Sequence, residues 1–359
     1  MNALRLLGRT LHGVTYAVLL AVVLAVAALL ALWWWTGTPW SLDWALQRYG
    51  AAYGVQAEAP TGSLRSGISA ARLRWQGNGI TVEATGVDLG WNPLALITRE
   101  LKLTRLKADS VVIQDRRPPS PEPAQPPTDL RLPLEVTIDE FRVNRLRWQG
   151  TSVIEAADLA GRYFHDAKQH VLGVRSVEYA GGRYSGEMRL GAQAPLPLEA
   201  RLRGNFGAAV PGSGAPVRLG FDVTLRGPLA QLEAAAQLQS VQPPRPGAAP
   251  GATATARITP WRKPIVPQAA IVLNDLDLAA FWPGAPRTAL AGRVTVAPDA
   301  TEAYAITADL SNTRSGAWDH GLLPLDALKA DGEWRGGAAV VRSFTARLGD
   351  GTAEGAGAW

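Results

Sequence analysis

The chain has 359 residues, 47% hydrophobic and 19% charged, with 37 glycines, 26 prolines, no cysteine and a formal charge of +5. That length allows one large domain or two to three smaller ones, and the glycine and proline content suits many short strands joined by turns. The lack of cysteine excludes disulfides and thiolate metal sites. The arginines stand singly rather than in the clusters of nucleic-acid binders, so no nucleic-acid partner is expected. They read as solvated strand faces, with a weak preference for anionic lipid head groups as the functional competitor.

Residues 1–13 form a short arm carrying Arg5, Arg9 and His12 without an acid. Val14–Trp35 then runs without a charge. As a helix it would span about 33 Å, close to the ~30 Å hydrocarbon core of a bilayer. The charge asymmetry places the N-terminus in the cytoplasm and everything after Trp35 outside. Trp33, Trp34, Trp35 and Trp40 read as an aromatic belt at the outer interface. A cleaved signal peptide would have a shorter apolar region ending at small residues, so the expectation is an uncleaved anchor.

Residues 36–61 hold a short amphipathic helix, "SLDWALQRYGAAYG", on which Leu42, Ala45, Leu46 and Tyr49 share a face. From Gly62 the period changes to two. Ile80 and Val82, Val87 and Leu89, Leu101 and Leu103, Val111 and Ile113, then Leu134, Val136 and Ile138 alternate with polar residues. This predicts strands with one apolar and one polar face. "NPLALI" interrupts them with an asparagine cap and a proline at the first helical position, predicting a single helical turn.

The first strand segment covers 62–117. The stretch 118–129 holds six prolines and reads as an extended, solvated insertion. A second strand segment covers 130–241, a Pro/Gly-rich linker 242–251, and a third strand segment 252–359. The alternating run is still in progress at Trp359, from which the expectation is a truncated chain or the first part of a longer one.

"RLRWQG" occurs twice, at Arg72–Gly77 and Arg145–Gly150. In a strand, Leu73 and Trp75 share one face with Arg72, Arg74 and Gln76 on the other, and Leu146 and Trp148 repeat the arrangement. The recurrence reads as a reused strand design and not as a chemical site.

No catalytic constellation is present. His12, His165, His170 and His320 are isolated and read as ordinary surface or turn histidines. "GDGTAEGAG" lacks the spacing of a dinucleotide or phosphate loop. No cofactor, metal or enzymatic activity is expected.

The segment "TGSLRSGISAARLRWQGNGITVEATGVDLGWNPLALITRELKLTRLKADSVVIQD", after an anchor and a short helix and before a Pro-rich break, resembles the N-terminal part of the TamB family of AsmA-like envelope proteins. Gly62-Ser63-Leu64, the "LRW" ending at Trp75, "ITVEATGVDLGWNPLALI" and "LKLTRLKADSVVI" carry the resemblance, and "FRVNRLRWQGTSVIEAADLAGRY" fits the same pattern. Beyond about Gly191 the likeness is only one of style. Family members are usually several times longer and end in a C-terminal β domain, so the expectation is that these residues correspond to the N-terminal part alone.

The resemblance implies an all-β fold apart from the N-terminal helices: an elongated, curled, antiparallel or meandering sheet forming an open, taco-like hydrophobic groove. It implies a protein of the bacterial inner membrane with its bulk in the periplasm, moving phospholipid between inner and outer membranes. It also implies a role in outer-membrane protein assembly through the barrel partner TamA. Scaffolding of such assembly by strand pairing, without lipid transport, is the alternative. The groove lining would comprise Ile80, Val82, Val87, Leu89, Leu101, Leu103, Val111, Ile113, Leu134, Val136 and Ile138, with Leu73, Trp75, Leu146 and Trp148. Periodicity alone leaves a closed sandwich equally open, with the same residues as core.

Overall fold

The computed structural model describes residues 22–118, 125–150, 152–208, 217–240, 251–280, 284–299, 303–335 and 338–358. The arm at 1–13, the first part of the expected anchor, 119–124 of the Pro-rich insertion and most of the 242–251 linker lie outside them.

Two helices come first, α1 (Val22–Thr36) and α2 (Pro39–Ala45), the latter continued by a π-type turn over Leu46–Gly50. Pro39 sits at the first helical position, where its missing N–H costs nothing. Among the described residues no single helix is long and apolar enough to cross a membrane; only α1 and the following helical segment together meet that test, across a bend of 84°. The described α1 is roughly 22 Å long, and residues 14–21 of the expected span are not described. The side chains of α1 are outward: Leu29, Leu30 and Leu32 are exposed.

The remainder is almost entirely strand. In chain order these are β1 (Val55–Glu58), β2 (Thr61–Ser63), β3 (Gly67–Gly77), β4 (Ile80–Asn92), β5 (Glu100–Asp115) and β6 (Glu135–Gln149). There follow β7 (Val153–His165), β8 (Gln169–Tyr179), β9 (Gly182–Gly191), β10 (Pro197–Ala208), β11 (Val217–Pro228), β12 (Leu232–Ser240) and β13 (Gly251–Ile258). The last six are β14 (Gln268–Leu276), β15 (Leu290–Pro298), β16 (Tyr304–Asn312), β17 (Ala327–Arg335), β18 (Ala338–Leu348) and β19 (Gly351–Ala358). The expected turn at "NPLALI" is a 3-10 helix over Pro93–Thr98, with the Asn92 side chain accepting from Leu94 N–H at 3.1 Å.

Two compact units divide the chain: Met1–Arg117 with Arg147–Val153, and Pro118–Leu146 with Ile154–Trp359. In the first, β1 and β2 pair end to end with β3, and β3, β4 and β5 follow as antiparallel neighbours. The helical segment packs on β1 and β2, burying Ser41 and Leu42. In the second, β7 to β19 pair consecutively, each antiparallel to the next. Short connections make such a meander the natural outcome of strands without intervening helices.

The period of two breaks once in β3, β4 and β5, on one rung. Apolar pairs flanking it are three residues apart: Ala70 and Leu73, Ala84 and Val87, Ala108 and Val111. The ladder passes from Ala70↔Val87 to Arg72↔Thr85, skipping Ala71 and Gly86, and from Thr85↔Ser110 to Asp88↔Lys107, skipping Gly86 and Val87 on β4 and Ala108 and Asp109 on β5. Gly86 lies at φ 59°, and a Cβ there would stand 2.0 Å from the Asp109 carboxylate. A left-handed residue inside a strand resets the pleat, so Ala70, Val87 and Ala108 remain on the apolar side and are buried.

The two "RLRWQG" copies also end on a shared device. A Cβ at Gly77 would meet the Trp75 ring at 2.8 Å, and one at Gly150 would meet Trp148 Nε1 at 2.7 Å. Each indole lies over the glycine two residues on, so the glycine is the floor for the ring. Gly86→Ala is expected to destabilise the chain by about 1–3 kcal/mol in denaturant unfolding. Gly357→Ala, with open space around its Cβ, is expected to stay within about 0.5 kcal/mol of wild type.

Candidate functional site

Directly opposed residues in an antiparallel ladder project to the same side of the sheet, so register decides whether apolar residues line up. In the second unit they do. One row runs Gly161, Val174, Gly186, Leu202, Val223, Ala236, Ala254, Ile271, Val294, Ala308, Ala330, Phe344, Gly355, one residue per strand from β7 to β19. Two places along each strand, or three across the bulge of β18, lies a second row. It includes Tyr163, Leu172, Met188, Ala200, Leu225 and Ala234 and ends at Val341 and Gly357. On the other side a third row runs from Tyr184 through Gly204, Phe221, Leu238, Ala252 and Leu273 to Ala346 and Ala353. No member of the central row carries a polar side chain. At ~4.8 Å per strand that row is roughly 58 Å long, and three rows are roughly 13 Å wide.

A second sheet packed on this face would bury it. Instead Leu202 is 43% exposed, Ile271 36% and Val341 37%, so the closed-sandwich alternative is not what this unit forms. Small residues make room for large ones at places along the row: Gly186 lies against Leu202, with a Cβ at Gly186 3.4 Å from Leu202 Cδ1.

The intervening rows are polar. Arg189, Glu199, Arg226, Glu233 and Arg257 oppose one another in sequence across β9 to β13 with alternating charge. Arg201 and Arg203 both bond Asp222, at 2.6 and 2.9 Å, and the Arg201 hydrogen bond holds Asp222 below the ordinary carboxylate range. Such exposed pairs fix which face is wet more than they add stability.

In the first unit the same rule assembles Val55, Trp75, Val82 and Ile113 in one row, and Ala57, Leu73, Ala84 and Val111 in the next. Ile68, Leu89 and Leu106 share another, and Trp91 opposes Leu103. Ile80 opposes Gly77 and Asp115. Val87 is buried, Trp75 exposed, and Leu101 half-buried. Val136, Ile138, Leu146 and Trp148 stand half-buried on β6, and Leu134 just precedes it. Trp33, Trp34 and Trp40 are exposed, while Trp35 is half-buried with its ring edge-on to Trp44 at 5.4 Å.

The longest apolar rows lie beyond the residues singled out by periodicity. Their members are mostly alanine, glycine and valine, a weak signal strand by strand that becomes plain only when the ladder aligns them.

His165 corrects the expectation of surface or turn histidines. It flanks the β7–β8 turn but is fully buried, opposite and stacked on His170 at 4.3 Å. Its Nε2 accepts from Leu132 N–H at 3.1 Å, while His170 Nε2 donates to Leu130 carbonyl at 2.9 Å. Together they tie the chain after the Pro-rich segment to that hairpin. Burial with four protein partners is invisible to spacing.

Residues 28–173 match the family model described as TamB, N-terminal domain. The chain carries a TamB-like N-terminal segment. No curated protein and no solved structure matches the chain. The TamB-like segment takes in most of α1, the first unit's sheet, β6, β7 and the start of β8. The apolar rows continue without interruption from its end to β19.

On the polar face of the TamB-like segment, Asp88 accepts from Arg105 Nε at 2.6 Å and Nη2 at 2.9 Å. This pairing lowers its pKa below the ordinary 3.8. A lowered native pKa contributes stability above the unfolded value that is lost as pH falls through the native one. Asp88→Asn is therefore expected to lower unfolding stability by about 0.5–1 kcal/mol near pH 7, a difference that vanishes as wild type is titrated from pH 5 toward 2.

Proposed function

We propose that this chain is an inner-membrane-anchored envelope protein that holds phospholipid acyl chains along its apolar sheet face, carrying them between the inner and outer membranes. The observation that carries the reading is the central row: thirteen strands without one polar side chain, half-exposed, flanked by two like rows. An apolar surface of that length in water needs an occupant, and an acyl chain is a flexible apolar rod that matches a narrow strip. The polar opposite face, with its paired charges, suits an aqueous compartment. The TamB family, whose N-terminal domain residues 28–173 match, is associated with the inner membrane and with the barrel partner TamA, and α1 supplies an apolar segment at the membrane end. No enzymatic step is part of this reading.

The test is phospholipid co-purification with the full chain, and transfer of fluorescent phospholipid between donor and acceptor vesicles. Leu202→Asp with Ile271→Asp, both on the central row and both partly exposed, is expected to cut each signal about tenfold by placing charge in the apolar strip. Thr255→Asp, on the polar face, is expected to leave both unchanged. Equal transfer by all three proteins would refute the reading.

A further inference from the structure

Between α1 and the first unit's sheet lies a pocket of about 550 Å³, walled by Leu29, Leu30, Trp33, Leu64, Trp91 and Pro93. One cation stands at it, Arg65. Its position is built. Arg65 N–H donates to Thr36 carbonyl at 3.0 Å, and its Nη1 donates to Trp33 carbonyl at 3.0 Å. The guanidinium carbon sits 4.8 Å over the Trp33 ring, and the group lies so close over Gly37 that a Cβ there would be 2.4 Å from Nη2. The wall is fixed as well: Trp91 Nε1 donates to Leu64 carbonyl at 2.8 Å, and Leu64 N–H donates to Ser41 Oγ at 3.2 Å.

A guanidinium has five N–H donors. No carboxylate pairs with Arg65 among the described residues. The site thus joins an apolar cavity to a rigidly held cation with donors to spare. That combination fits an amphiphile with an acyl body and an anionic head, since Arg binds phosphate through two parallel N–H bonds. The cavity opens beside the exposed leucines of α1, the surface that bilayer lipid would contact.

We infer that this pocket is a loading site for a membrane phospholipid, with the phosphate on Arg65 and an acyl chain against Leu30, Leu64 and Trp91. This rests on the reading that the sheet takes acyl chains, and it names where they are first held.

The test uses the full chain in vesicles containing phosphatidylglycerol with a diazirine in one acyl chain, or diacylglycerol with the same chain and no phosphate. After irradiation, adducts are mapped by peptide mass spectrometry. Phosphatidylglycerol is expected to label the Leu64–Pro93 wall about tenfold more than diacylglycerol, the scale of a charge-assisted hydrogen-bond pair. Arg65→Gln is expected to remove that preference, and Arg65→Lys, which keeps the charge but not the paired N–H bonds, to keep only part of it. Equal wall labelling by both lipids in the wild-type chain overturns the loading site without depending on how any variant folds. Labelling along Ala254 and Ile271 but not at the wall overturns the loading site and leaves the transfer reading standing. Labelling at the wall alone overturns the transfer reading and, with it, the loading role, and leaves only a lipid-binding pocket.

Discussion

Every functional feature of this chain depends on one constraint: residues opposed in an antiparallel ladder must share a face. A strand of alternating apolar and polar residues is neutral about its neighbours until register is set. Once β7 to β19 pair consecutively, each with its predecessor, thirteen independent alternations fuse into continuous rows. A slip of one residue would bring polar side chains such as Arg201, Asp222, Arg293 or Asp309 into the strip and put apolar ones onto the wet face. The alternating charges of Arg189, Glu199, Arg226, Glu233 and Arg257 penalise that slip from the other side of the sheet.

Keeping one face apolar along a twisting strand needs local corrections, and the first unit shows how they are made. Gly86 takes a left-handed conformation in mid-strand, and the residue pattern of β3, β4 and β5 shifts by one on the same rung. The register is the same on both sides of it, so pairing continues while the pleat resets. Elsewhere the correction is a bulge, as between Val174 and Val177 on β8. Glycine serves a second purpose wherever an aromatic ring must lie flat, under Trp75, Trp148 and Phe344.

The N-terminal end is built on different physics. There α1 does not merely precede the sheet. The backbone bond from Arg65 to Thr36, the Ser41 hydroxyl accepting from Leu64 N–H, and the buried Leu42 seat the helices against β2 and β3. A helix whose apolar residues face outward is thereby seated on the first unit's own sheet, with a cavity between them.

Much of this was legible in the residues. Alternation gave the strands from Ile80 onward, Asn92 and Pro93 gave the helical turn, and "RLRWQG" gave two strands with indole and guanidinium on opposite faces. The apolar run gave α1, though α1 on its own, over the described residues, does not meet the length of a span. The buried, stacked pair of His165 and His170 was not legible, because cross-strand opposition and burial set their partners. Nor was the junction pocket, whose walls are contributed by residues some sixty positions apart. By itself the sequence determined that the chain would form strands with one apolar face, because a period of two is a local property. Only the tertiary structure decided that weakly apolar strands rich in alanine and glycine would align into one strip, because register is a relation between strands that no single strand encodes.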